Sequence, residues 1–431
     1  MSRCFHSCIL AWLILCLFGV DTVSAQGRRA AKKPAKLEVR IENKAGEPPL
    51  YRTRNFAVKT DIPAAEAQEL LERLETMLVL ISKYWGRPNT QSIDMFVVRD
   101  VSQWPAGLLD AEGLKHIQAG GGVTHGQSQQ NARTGEIVAS RAVVYAVADR
   151  GTPQHEAVHA YCILNFGRMG PTWYSEGMAE MGQYWRDQDF AVNCHPEVIK
   201  YLKSEEPKLL TEITDLNQKS GDSWQNYAWR WALCHLLANN TNYAPRFHPL
   251  GMALLNGQRS SFEDVYGPMA KEIYFEYSQF LLHFDQGYRA DLCSWDWKAK
   301  FNGVLTRPLN AKIKAAGGWQ PSRLSVKEGL SYTYSTKGEW SLSEGAEKLT
   351  ASGVGASVGT DLTDAGRTPE GHGRLEAVIF YDYQLTDPIP LGESGTFTAT
   401  KEGKLFLRCR DSWAELGDNT GEITVKFEKG K

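Results

Sequence analysis

Two histidines four residues apart, His155 and His159, have a glutamate, Glu156, directly after the first. On a helix, residues i and i+4 share one face, so both imidazoles can reach one metal ion. Glu156 then faces a metal-bound water without being a ligand itself. Zinc takes imidazole nitrogens at about 2.0–2.1 Å, and a catalytic zinc keeps three protein ligands and one open position. A third ligand must therefore come from elsewhere. Gly167-Arg168-Met169-Gly170-Pro171 breaks the helix, and a second helix-like run follows that carries Glu176 and Glu180. Folded back on the first, it brings one carboxylate to the two histidines. Glu180, one turn after Glu176, either accepts the outer N–H of a ligand histidine or lies on a solvated face. Such a set supports hydrolysis: the metal acidifies its water and polarises a carbonyl, and Glu156 moves the proton as general base.

The series His155-Glu156-x-x-His159 and Trp173-x-x-Glu176-Gly177-x-Ala179-Glu180 resembles the gluzincin metallopeptidases, especially the peptidase-MA-like proteins. The resemblance covers roughly residues 50–300, with its specific motifs inside 152–180. It implies Glu176, the glutamate before glycine, as third zinc ligand, and a peptide or protein as substrate. Sixteen residues separate His159 from Glu176, a shorter loop than in thermolysin with the parts in the same order. It also implies an edge strand that holds extended substrate, with the run 143–147 part of that sheet. Related enzymes stabilise the oxyanion with a downstream tyrosine or histidine. The candidates are Tyr227 and His235. The resemblance favours Tyr227, and the other reading of that residue is a packing aromatic. His125, His195, His248 and His283 show no partner pattern and read as structural or exposed.

The elements that must position these groups follow from periodicity. Residues 37–59 alternate apolar and polar around Gly46-Glu47-Pro48-Pro49, which predicts two strands and a turn. Leu70, Leu71, Leu74, Met77, Leu78, Ile81 and Trp85 recur at helical spacing over 63–85, ended by Gly86 and Pro88. Residues 93–98 and 143–147 read as strands, and Gly120-Gly121-Gly122 as a break in order. Thr152 is the expected N-cap of the His155 helix, with Pro153 at its first position and Gly167 as C-cap. The chain then reads as mainly helical to about residue 300. The fold class expected is α+β, with a gluzincin-like domain over 51–305.

Composition changes near residue 316. Alternating runs at 332–335, 376–381, 396–400, 404–409 and 422–427 predict an all-β sandwich over 322–431, with the boundary inside 305–322. Within it, Asp411, Asp418 and Asn419 offer side-chain oxygens from a strand end and a short loop. These suit Ca²⁺, although Asp and Asn beside glycine also serve as plain turn residues. The stretch 403–421 resembles the calcium loop of the PA-IL-like galactophilic lectins. That likeness implies calcium on Asp411, Asp418 and Asn419 with help from the Glu415 carbonyl, and a glycan as partner. The sugar-contacting segment departs from the family: 367–371 holds neither its histidine nor its glutamine.

The chain has 431 residues and a formal net charge of −2, which gives no electrostatic case for nucleic acid. Arg3, an apolar run over 8–20 and Val23-Ser24-Ala25 read as a signal peptide, residues 1–25, cleaved after Ala25. Residues 26–50 read as a basic linker and the start of the first strand. The expected location is outside the cytoplasm, periplasmic or secreted, without stable membrane insertion. Five cysteines remain after cleavage, none in a CxxC pair, and each reads as a small buried hydrophobe. The runner-up function is a non-catalytic exported carbohydrate- or calcium-binding protein with an inactive zinc site. The presence of Glu156 argues against it, because a structural zinc needs no base.

Overall fold

A computed structural model describes residues 37–131, 133, 137–186, 193–303, 307–355 and 371–429. The expected signal peptide over 1–25, the basic segment 28–36 and positions 367–370, compared above with the lectins' sugar-contacting segment, lie outside the described residues. The fold is mixed α and β. Its first part orders as β1 (Arg40–Glu42), β2 (Leu50–Arg52), β3 (Phe56–Thr60), α1 (Ala64–Trp85), β4 (Ile93–Val98), α2 (Ala111–Gln118), β5 (Gly122–Gln130) and β6 (Ile137–Val147). Helices α3 (Thr152–Phe166), α4 (Thr172–Tyr184), α5 (Pro196–Ser204), α6 (Leu210–Ile213), α7 (Trp224–Asn239), α8 (Ala244–Leu255), α9 (Phe262–Tyr266) and α10 (Ala270–His283) follow.

The six strands form one mixed sheet in the order β1-β2-β3-β4-β6-β5. The pairs β3/β4 and β4/β6 are parallel, and the rest are antiparallel. Residues 37–59 thus supply three strands where alternation predicted two. The run 143–147 belongs to β6, one strand in from the edge. The edge is β5, which begins at Gly122 inside the triplet expected to break order. Its sequence, GVTHGQSQQ, is too polar to announce a strand, and register is imposed by pairing with β6 from Gly122↔Ala146 onward.

Helix α1 buries Leu70, Leu71, Leu74, Met77, Leu78 and Trp85 on the core and stops at Gly86, whose φ of 66° is the left-handed region glycine favours. Helix α3 is different in kind. Thirteen of its fifteen residues are buried, because it lies between the sheet and α4. A helix buried on all sides has to justify any polar residue it carries, and α3 carries His155, Glu156 and His159.

A β-sandwich completes the chain. One sheet runs β11 (Gln384–Leu385), β10 (Leu375–Tyr381), β14 (Gly403–Cys409), β8 (Gln320–Val326), with β12 (Ile389–Pro390) also on β10. The other runs β13 (Ser394–Thr398), β9 (Ser331–Ser341), β15 (Thr420–Lys429), β7 (Leu309–Lys314). Strand β7 lies ahead of residue 322, where sequence placed the start of the module, because it pairs along its length with β15. The two parts meet through aromatic packing of Phe275 and Trp295 on Phe380 and Phe406, with Trp295 and Phe406 ring centroids 4.0 Å apart. The five described cysteines, Cys162, Cys194, Cys234, Cys293 and Cys409, are buried and form no disulfide with one another. Among the described residues no helix is long and apolar enough to cross a membrane.

Candidate metal centre

Helix α3 is fixed at both ends. The Asp149 carboxylate accepts the backbone N–H groups of Gly151 and Thr152 at 2.8 and 2.6 Å, so Gly151 holds the cap position and Thr152 is already helical. The expected cap at Thr152 is thus displaced by one residue, because Asp149 does the capping. At the far end Gly167 adopts φ 70° and turns the chain through a short loop into α4. Gln154 ties the pair together, donating to the Gly182 and Trp185 carbonyls at 2.7 and 3.2 Å. A Cβ at Gly182 would stand 2.6 Å from Val158 Cγ2, so glycine permits the close approach of α3 and α4.

That hairpin brings three donor atoms to one point. His155 Nε2 and His159 Nε2 are 3.1 Å apart, and Glu176 Oε2 lies 3.2 Å from His159 Nε2 and 3.3 Å from His155 Nε2. Ligands at about 2.0–2.1 Å from a tetrahedral zinc stand about 3.3 Å from one another. The donor set and its spacing therefore fit a zinc ion. Among the described residues this is the one group of three or more His, Cys, Asp or Glu side chains so arranged.

The electrostatics point the same way. Three buried carboxylates, Glu156, Glu176 and Glu180, surround two imidazoles. Buried negative charge in excess calls for a cation. Burial alone would raise the Glu176 carboxyl, but His159 and His155 hold it far below the ordinary carboxylate range. Burial likewise works against charge on His155, yet Glu176 and Glu180 push it well above the usual imidazole value. A bound dication would take over that compensating role.

The supporting contacts are specific. Glu180 Oε1 is 3.1 Å from His155 Nδ1, an oblique contact on the outer side of the ring. Burial first, and then the neighbouring Glu180 carboxylate, push the Tyr184 phenol upward. Glu180 is itself buried rather than on a solvated face. Ser220 donates to the second oxygen of Glu176. Thr124, on the edge strand, donates to Glu156 Oε2 at 2.7 Å and to the Glu156 carbonyl at 3.0 Å. A Cβ at Gly122 would stand 2.8 Å from Glu156 Cγ, so the β5 backbone lies directly against this side chain.

Tyr227, in the first turn of α7, stacks on His155 with ring centroids 6.1 Å apart. Its hydroxyl accepts the Gly221 N–H at 2.7 Å. Burial and the Glu176 carboxylate push the phenol up to about 12, so it is a proton donor at neutral pH. The loop that carries Ser220 and Gly221 is clamped by buried Arg230, which donates to Asp222 and to Gln218 Oε1. Sequence reasoning missed Thr124, Gly122, Ser220 and Arg230. Their roles arise from tertiary contacts 32 to 44 residues away or from a loop without periodicity. His235, two turns beyond Tyr227, stacks on Phe280 at 5.1 Å and belongs to the core. His125 does have partners, Asp110 at 3.1 Å and Glu112 at 3.4 Å. His195 accepts the Glu197 N–H at the start of α5, and His248 and His283 pack on Tyr84 and Trp413.

No protein-family model matches the chain, and no curated protein matches it. Among solved structures, one described as an EclA N-terminal domain, a PllA-like lectin, is similar at 20% identity. It covers 28% of this chain and 96% of its own length, with a TM-score of 0.22.

The C-terminal candidates are split by burial. Asp411 and Asn419 are buried, and Asp418 is exposed. Asp411 Oδ1 accepts the Ser412 N–H at 2.8 Å and lies 3.4 Å from His372 Nδ1. Among the described residues no hydrogen-bond donor reaches the buried Asp411 Oδ2 and Asn419 Oδ1. Between these positions, Trp413 and Leu416 are part of the helical domain's core, with Trp413 against His283 and Tyr288. The loop that would carry calcium is thus also a docking element between the two parts of the chain.

Proposed function

We propose that the chain is a zinc-dependent peptidase in which His155, His159 and Glu176 hold the metal and Glu156 is the general base. The observation that carries the reading is the near-equilateral triangle of three buried donor atoms beside a fourth buried group, the Glu156 carboxylate, that is not part of it. A structural site has no use for that fourth group.

Zinc bound there supplies a Lewis acid and a water of lowered pKa. Glu156 would accept a proton from the attacking water on its carboxylate and pass it to the leaving amine. Thr124 holds one Glu156 oxygen, which leaves the other for the proton. Glu180 fixes the orientation of His155 from behind, and Ser220 does the same for Glu176. The Tyr227 hydroxyl, kept protonated by burial, is the donor for the oxyanion. Among the described residues strand β5 pairs on one side only, with β6, and its other edge is free. An extended peptide added there would run past Glu156, which Gly122 and Thr124 both touch. Peptide hydrolysis fits this site better than chemistry on a small compact substrate for that reason.

A second reading rests on the two unpartnered buried oxygens of Asp411 and Asn419. They are suited to Ca²⁺, which would stiffen the loop that docks the sandwich on the helical domain. The location proposed for both activities is outside the cytoplasm, following the N-terminal signal pattern.

The test is Glu156→Gln in the mature chain, assayed on a mixed peptide library with metal content measured in parallel. The expected result is full zinc occupancy with hydrolysis lost. Hydrolysis at the parent rate would remove Glu156 from the mechanism.

A further inference from the structure

Away from the metal centre, the junction between the two parts of the chain holds an open cleft of about 1140 Å³. Four basic side chains line it, Lys298, Lys300, Lys312 and Arg323, against one acidic one, Asp296. Lys312 is paired with Glu422 at 2.7 Å. Among the described residues Lys298, Lys300 and Arg323 form no ion pair. Three cations without an ion pair, gathered in a wall that holds a single carboxylate, repel one another, and folding gains nothing from that arrangement.

Arg323 carries a second anomaly. Its φ is 65°, a left-handed conformation in a strand residue that is not glycine. It sits where β8 slips register against β14, between the pairings of Lys404 and Phe406. The irregularity is held on both sides. Ser322 Oγ donates to the Leu405 carbonyl at 2.6 Å, and the Arg323 carbonyl accepts the Asn302 N–H at 2.9 Å. A bulge of this kind re-aims a side chain, and here the re-aimed side chain lines the cleft. Glycine would adopt the same backbone at lower cost. An exposed arginine with no ion pair in a strained position gives no folding benefit that would explain it.

The rest of the lining defines the ligand. Trp319 offers an indole, one face of which is covered by the Arg408 guanidinium at 5.3 Å. Asn302 and Asn310 are exposed amides in the same wall. An indole for the C–H face of a sugar ring, amides for its hydroxyls, and lysine and arginine for anionic substituents form one coherent set. The cleft holds a few rings at most, and a single indole gives no ladder for stacked bases. We propose that this cleft binds an acidic saccharide, one bearing carboxylate or sulfate groups.

The test uses the full mature chain and calorimetric titration with three probes: hexagalacturonate, a carrageenan hexasaccharide and hexaglutamate. The first two separate carboxylate from sulfate recognition. At least one saccharide should bind, with affinity falling as salt rises from about 50 to about 200 mM, and hexaglutamate should not. Arg323→Gly should weaken saccharide binding about tenfold while leaving Tm unchanged or higher, because glycine relieves the backbone. That opposite movement of binding and stability separates ligand recognition from a folding role. The double substitution Lys298→Glu with Lys300→Glu should abolish binding. Failure of both saccharides to bind, hexaglutamate binding as tightly, or unchanged binding by Arg323→Gly would each overturn the proposal. None of these outcomes depends on whether the zinc site is catalytic.

Discussion

Gly177→Ala sets two physical effects against each other at the residue next to Glu176, the proposed third zinc ligand. In an unconstrained helix interior alanine is better than glycine by about 1 kcal/mol, so propensity predicts a more stable protein. Packing predicts the reverse. A Cβ at 177 would stand 2.8 Å from the Arg230 carbonyl oxygen and 3.1 Å from its carbonyl carbon, and it would also meet the Cys234 sulfur. Carbon atoms pack at about 3.5–4.0 Å, so α4 must back away from α7 by roughly 0.5–1 Å. The Arg230 carbonyl cannot yield easily, since it belongs to the backbone of a buried helix. Overpacking of this kind costs about 1–3 kcal/mol. After the propensity gain the net loss is about 0–2 kcal/mol, a fall in Tm of up to about 8 °C. Glu176 moves with its helix, and its Oε2 now lies 3.2 and 3.3 Å from the two nitrogens. Drift of that size opens the triangle past the spacing zinc needs and should weaken zinc binding about 10–100-fold. Competition with a calibrated chelator reads the affinity, and thermal denaturation of the metal-free chain reads the stability. Zinc affinity equal to the parent's together with a raised Tm would refute the view that α4–α7 contact sets the position of Glu176.

Three further outcomes follow from named contacts. Thr124→Val removes the 2.7 Å donor to Glu156 while conserving shape; kcat should fall about 10–100-fold, since a hydrogen bond to a charged group contributes about 1.5–3 kcal/mol, with KM and zinc content unchanged. Burial lowers His235 from 6.5 to about 4, so the unfolded chain binds the proton more readily than the folded one. Stability from this group is full above about pH 6.5 and declines as pH falls toward about 4; His235→Phe should flatten that part of the Tm-against-pH curve. Glu276 accepts from Asn240, Asn242, Tyr243 and Trp297 side chains and from the Trp295 N–H. Glu276→Gln places an N–H₂ among those donors and should lower stability by about 2–4 kcal/mol, measured by denaturant midpoint.

The meeting of His155, His159 and Glu176 was largely legible because its signal is local. A helix repeat puts His155 above His159 whatever the rest of the chain does, and Gly167 with Gly170 and Pro171 leaves only a short turn before Glu176. The strand runs of the sandwich were legible for the same reason, through alternation. What stayed hidden is what pairing creates. Strand β5 is polar because one side of it is an open edge, so neither hydrophobic period marks it. Thr124 and Ser220 become important only when β5 and the 218–223 loop are folded onto α3 and α4. Asp149 took the cap from Thr152 because its carboxylate, three residues upstream, reaches the N–H groups of both Gly151 and Thr152. The docking of Trp413 on His283 and Tyr288 joins residues more than a hundred positions apart and has no counterpart in local pattern.

Zinc K-edge absorption of the purified mature chain and of its Glu176→Ala form addresses the central claim directly. The account predicts one zinc per chain, with two imidazole nitrogens and two oxygens at about 2.0–2.1 Å, and loss of that signature in Glu176→Ala. Sulfur in the coordination shell, or the same spectrum and occupancy in both proteins, would contradict it.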